Sequence, residues 1–199
     1  MHEHATTGNP RVRPVGVEVL ADDWYVLRKA TFDFRGRDGR WTRQSREAYD
    51  RGNGAVILLG DRDAQTVLLI RQFRWPAYAN GHPDGMLLEA PAGLLDGDDP
   101  AAAIRREVEE ETGVRVGAVR PLFEVYMSPG SVTERLHFFA APYVSGTQRA
   151  GAGVAEEGED IEVVELGLAD ALALVAGGAI VDAKTIMLLQ WAERHGLPG

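Results

Sequence analysis

The stretch AGLLDGDDPAAAIRREVEEETGV, residues 92–114, decides how the rest of the chain is read. It opens on a turn rich in Gly and Asp and runs into a helical pattern over 101–112. Asp99 carries the side-chain oxygen an N-cap needs, Pro100 suits the first helical position, and Gly113 suits the left-handed residue that ends a helix. At about 100° per residue, Glu111 falls ~40° from Glu107 and Glu110 ~60° to its other side, so three carboxylates share one stripe. Ala101, Ile104 and Val108 fall on the adjacent face and predict its anchorage to a core. Like charges three and four residues apart cost a few tenths of a kcal/mol each in a bare helix. A cation is therefore expected nearby, and Arg106, four residues before Glu110, is in reach. An acidic run alone is most often a solvated face. Here it follows a capped, Gly-rich loop, and carboxylates beside free backbone groups form an oxygen ligand set suited to Mg²⁺.

Strand patterns flank this helix. Residues 24–34 (WYVLRKATFDF) and 42–49 are extended runs joined through Asp38-Gly39, which predicts a small antiparallel sheet. Short apolar runs at 55–59, 66–71 and 87–90 read as buried strands, and strands return at 119–126, 136–141 and 161–166. Two helical patterns, 168–176 and 183–195, close the chain. Residues 1–15 read as a flexible tail, 16–50 as a β subdomain and 51–199 as the main domain. Strands packed between helices make the fold class α/β.

Composition narrows the function. Thirty acids against 21 bases give a net charge of −9, which disfavours nucleic acid as a partner. The absence of cysteine excludes a thiol nucleophile or a cysteine zinc site. No apolar run is long enough to span a membrane and the first ten residues carry no secretory apolar core, so the cytoplasm is expected. His137 lies in a strand pattern without a second histidine or cysteine, and reads as structural.

The 92–114 segment resembles the box of the Nudix family, G-x5-E-x7-R-E-U-x-E-E-x-G-U with U aliphatic. Arg106, Glu107, Val108, Glu110, Glu111, Gly113 and Val114 match its second half. Its first half departs: four residues separate Gly93 from Asp98, and Asp98 stands where the family has Glu. That shortened loop is similar to the GDP-mannose pyrophosphatase branch. VYMSPGSVTER (125–135), with Pro129 sixteen residues after Gly113, resembles a loop of the ADP-sugar enzymes; 46–59, 69–74 and 156–166 resemble the same subfamily.

The resemblance implies a Nudix α/β/α sandwich with a mixed sheet plus an N-terminal antiparallel subdomain. It implies that Glu107 and Glu111 ligate Mg²⁺ (or Mn²⁺) with the Ala92 carbonyl, that Glu110 is a further ligand or places a water, and that Arg106 orients the glutamates. In the acidic run 156–165 it implies Glu159 as a ligand and Glu157 as the general base, with Glu156 close enough to exchange roles. Arg74 is implied on the diphosphate, Trp24 on the base, and Arg51, Ser128 and Glu134 near nucleotide and sugar. For Arg74 and for Arg71 the residues alone leave an ion pair with the acidic helix open; for Trp24, a place in the core; for Arg51 and Glu134, support of a turn. The implied reaction is hydrolysis of a nucleoside diphosphate sugar, GDP-mannose first and ADP-ribose as the alternative. A sensor that binds without turnover would be expected to lack one of the three glutamates. A homodimer is implied, with residues 16–50 serving the partner's site.

Overall fold

The computed structural model describes residues 8–147 and 160–199, which form two compact units. The first comprises the described residues up to Gly52 together with Ser128–Glu134. Its sheet is a meander of β1 (Val12–Asp22), β2 (Val26–Arg35) and β3 (Trp41–Asp50), all antiparallel. Gly39, at φ 82°, takes the left-handed position in the β2–β3 turn that a side chain would resist. β1 begins at Val12, so residues 12–15 of the expected tail are strand. Pro14 and Gly16 mask it in the sequence. As an edge strand β1 needs no amide from Pro14 for a second neighbour, and its register shifts between Pro14 and Gly16. The Ser128–Glu134 loop joins this unit through Tyr49: its amide donates to the Ser131 carbonyl at 2.8 Å and its carbonyl accepts from the Thr133 amide at 3.1 Å. Residues 128–134 lie inside the stretch expected to be one domain.

The second unit, Asn53–Met127 with Arg135–Gly199, holds a seven-stranded mixed sheet. In chain order its strands are β4 (Gly54–Asp61), β5 (Thr66–Phe73), β6 (Met86–Glu89), β7 (Ala92–Leu94), β8 (Arg120–Tyr126), β9 (Arg135–Pro142) and β10 (Glu162–Gly167). The continuous path is β10-β5-β4-β9-β8, and β4–β9 is its parallel pair. β4 and β5 pair directly only from Leu59–Leu68 to Asp61–Thr66. Beyond that β6 continues on β5 and β7 on β4, so the 86–94 segment fills the gap where the two strands part.

Alternation along the central strands builds two cores. Val56, Leu58, Val67, Leu69 and Phe138 pack with Ala171 of α3 (Leu168–Ala176) and with Leu188, Leu189 and Ala192 of α4 (Ala183–His195). Ala55, Ile57, Leu59, Leu68 and Phe139 pack with Ala103, Ile104 and Val108 of α2 (Pro100–Thr112). This is the α/β/α sandwich with a mixed sheet and a separate N-terminal antiparallel sheet. A five-residue helix, α1 (Trp75–Ala79), follows β5 and has no counterpart in the sequence reading. No helix among the described residues is long and apolar enough to cross a membrane.

Candidate active site

The helix carrying the acidic stripe is built as its residues dictate. The Asp99 carboxylate accepts from the amides of Ala101 and Ala102 at 3.1 Å, and Gly113 ends the helix at φ 68°. Ile104 and Val108 are fully buried, which fixes the rotation of the helix and turns Glu107 and Glu111 inward. Glu111 is only 4% exposed and accepts from the Ala92 amide at 3.2 Å. The Glu107 side chain lies against Gly93, where a Cβ would fall 2.5 Å from Glu107 Cγ and closer still to its carboxyl. Glu110 is exposed. The acidic helix and the 86–94 segment of the sheet therefore meet at Ala92 and Gly93.

Arg106 does not pair with Glu110. It donates to Asp98 at 2.6 Å and to Glu107 at 3.4 Å, tying the loop before the helix to the stripe. Those contacts lift its pKa above the ordinary value, the Asp98 hydrogen bond most. Among the described residues no three carboxylates or imidazoles converge to enclose an ion. Two carboxylates above a glycine that leaves them room still fit Mg²⁺, which commonly takes one or two carboxylates and completes its shell with waters and substrate phosphates. Glu156, Glu157 and Glu159 lie outside the described residues.

Arg71 and Arg74 find carboxylate partners on neighbouring strands. Arg71 faces Glu162 on the neighbouring strand at 3.8 Å. Arg74 makes a two-pronged pair with Glu89, Nε to Oε1 at 2.8 Å and Nη2 to Oε2 at 3.0 Å. Lys184, at the start of α4, donates to the same Glu89 Oε2 and to Asp182. Burial pushes the Glu89 carboxyl up; the Arg74 hydrogen bonds and the Lys184 charge more than reverse this and hold it down to about 2. Burial also lowers the Arg74 pKa, but Glu89, with the charges of Glu111 and Asp182, raises it overall. Sequence reasoning missed Glu89 and Lys184. The available signal was a lone acid in an otherwise apolar strand, MLLEA, since buried charges are nearly always paired.

The other expected substrate residues lie in the first unit. Trp24 is 81% exposed, which removes the core alternative. Its ring sits 6.2 Å from Tyr25, which meets Tyr49 edge-on, and the Arg51 guanidinium lies over Tyr25 at 5.6 Å. Arg51 also pairs with Glu134 at 3.5 Å. Ser128 sits at the start of the loop, its hydroxyl 3.3 Å from that of Ser131. Trp24 and Arg51 thus meet at Tyr25, which the sequence reading did not single out, and Glu134 joins them through Arg51. His137 is held by Glu124 on the facing strand at 3.2 Å, in keeping with a structural role. The cavity of ≈ 680 Å³ at the far end of α2, lined by Glu109, Gly113, Arg115, Tyr143 and Val144 among others, contains neither Glu107 nor Glu111.

With this architecture and box, comparison defines the class: the NUDIX domain matches residues 50–189, and the chain belongs to the Nudix family. Within it, the GDP-mannose pyrophosphatase NudK N-terminal domain matches residues 11–49. The chain is 55% identical to a GDP-mannose pyrophosphatase of Yersinia enterocolitica over 94% of its length and 97% of the relative's. It is 54% identical to one of Citrobacter koseri over 90% and 94%. The fold is shared with a crystal structure of an ADP compounds hydrolase, at TM-score 0.70 and 19% identity, covering 94% of this chain and 96% of that one.

Proposed function

We propose that this chain hydrolyses the diphosphate bond of GDP-mannose in the cytoplasm, giving GMP and mannose 1-phosphate. The relatives named GDP-mannose pyrophosphatase support the substrate. The observation that carries the chemistry is the seating of Glu107 over Gly93, with Glu111 on the Ala92 amide. Bound there, Mg²⁺ (or Mn²⁺) would neutralise the diphosphate and lower the pKa of the attacking water. Glu107, Glu111 and the Ala92 carbonyl would hold the cation, joined by Glu159, while Glu110 would add a ligand or hold a water. Arg106 keeps Glu107 turned toward the site through its contacts to Asp98 and Glu107. Glu157 removes the water's proton. Arg74 presents its guanidinium to the diphosphate, a use that suits arginine's fork of donors.

The first unit reads the nucleotide sugar, with Trp24 stacking on the base and Arg51, Ser128 and Glu134 around base and sugar. It does so for a partner copy in a homodimer. β1 exposes Val15, Val17, Val19 and Leu20 at 41–59%, an apolar row on an edge strand that a second copy would cover. The test is kcat/KM for GDP-mannose and ADP-ribose with Mg²⁺, for the wild type and Glu111→Gln. GDP-mannose is favoured and Glu111→Gln, whose amide oxygen still accepts from Ala92, abolishes turnover without unfolding. A tenfold preference for ADP-ribose, about 1.4 kcal/mol of transition-state binding, would replace the substrate. Undiminished turnover by Glu111→Gln at saturating Mg²⁺ would remove the ligand assignment.

A further inference from the structure

The segment from Glu89 to Gly93 is gripped from two sides. α4 takes its first two residues: Lys184 Nζ binds Glu89, and Thr185 Oγ1 accepts from the Ala90 amide at 2.7 Å while donating to Asp182 at 2.6 Å. α2 takes the end of the segment through Glu111 on Ala92 and Glu107 against Gly93. Glu89 is 1% exposed, and its two oxygens accept from Arg74 Nε, Arg74 Nη2 and Lys184 Nζ. A buried carboxylate whose only evident occupation is to hold cations is costly to keep unless the placement of those cations matters. Arg74 keeps 37% of its side chain exposed, and the hydrogen bonds to Glu89 engage Nε and Nη2 but not Nη1.

We propose that Glu89 is a positioning residue for Arg74, gripping one edge of the guanidinium so that its Nη1 side is held ready for a phosphate oxygen. Lys184, docked on the same carboxylate from α4, stops Glu89 from rotating to follow the arginine. The arrangement presets a long side chain whose rotamer freedom would otherwise be lost on binding. This rests on the reading of Arg74 as the diphosphate ligand.

A double-mutant cycle of Glu89→Gln and Arg74→Ala tests it, with kcat and KM for GDP-mannose, calorimetric affinity for GDP, and thermal unfolding of each variant. With Arg74 present, Glu89→Gln lowers kcat/KM at least about tenfold, since a misplacement near 1 Å can cost ~100-fold. In the Arg74→Ala background the same change moves kcat/KM and GDP affinity by less than about twofold. A merely architectural Glu89 would give equal losses in both backgrounds, and that additivity overturns the proposal, as does an unchanged kcat/KM for Glu89→Gln alone. If Arg74→Ala itself leaves kcat/KM and GDP affinity intact, the assignment of Arg74 falls and the positioning role falls with it. Where Glu89→Gln does not fold, Glu89→Asp keeps the charge on a shorter arm: stability returns while kcat/KM stays about tenfold down, and full activity of Glu89→Asp overturns the proposal.

Discussion

Gly93→Ala isolates the contact on which the cation site depends. Gly93 pairs with Ala55 in the sheet and is not among the positive-φ glycines, so an alanine there meets no backbone strain. Its Cβ would lie 2.5 Å from Glu107 Cγ, where carbon atoms settle at about 3.5–4.0 Å. The overlap of at least ~1 Å falls on a flexible side chain rather than on backbone, so Glu107 yields at about 0.5–1.5 kcal/mol of rotamer strain. For a chain of this length that lowers Tm by a few degrees, roughly 2–5 °C. The chemistry suffers far more, because a carboxylate displaced by ~1 Å costs on the order of 100-fold in kcat/KM. The assay is kcat/KM for GDP-mannose across a Mg²⁺ titration, with scanning calorimetry alongside. Combining Gly93→Ala with Glu107→Ala should restore the lost Tm and add no further kinetic loss. Wild-type kcat/KM with an unchanged Mg²⁺ dependence would refute the reasoning, and so would a Tm loss that persists once Glu107 is removed.

Three further outcomes follow from the contacts described. Asp99→Ala removes the cap of α2 and costs about 1 kcal/mol in chemical denaturation, while kcat of the folded protein holds. Thr185→Val leaves the buried Ala90 amide without its acceptor and costs about 1–3 kcal/mol, read as a lower midpoint in urea. Glu89 has a folded pKa near 2 against 4.5 in its ordinary state, so its contribution is present above 4.5 and is lost as pH falls from there through about 2. Wild-type stability therefore declines across that acid window by an amount on the order of 3 kcal/mol from this group, and the decline is smaller in Glu89→Gln.

Local signals in the sequence carried much of the fold. Asp99, Pro100 and Gly113 mark the ends of α2 to the residue, and the two C-terminal helices run over 168–176 and 183–195 as their patterns predict. Continuous apolar runs identified β4 and β5 because strands covered on both faces need no polar alternation. What escaped was set by distant partners. β1 hides behind Pro14 and Gly16, whose turn chemistry an edge strand tolerates. The Glu89 cluster joins residues 15 and 95 positions apart, a separation at which periodicity carries no information about contact. Likewise the 128–134 loop groups with the N-terminal unit through Tyr49, and only the fold reveals that link. The box residues themselves were legible, yet Arg106 chooses Asp98 and Glu107 over the helical neighbour Glu110, because the loop before the helix folds back to meet it.

Hydrolysis of GDP-mannose in ¹⁸O-labelled water, with Mg²⁺ and with a chelator in its place, tests the central claim most directly. The account predicts GMP and mannose 1-phosphate, with ¹⁸O in one of the two phosphates and no products in the chelator arm. GDP with free mannose, or the same products at the same rate under chelation, would contradict it.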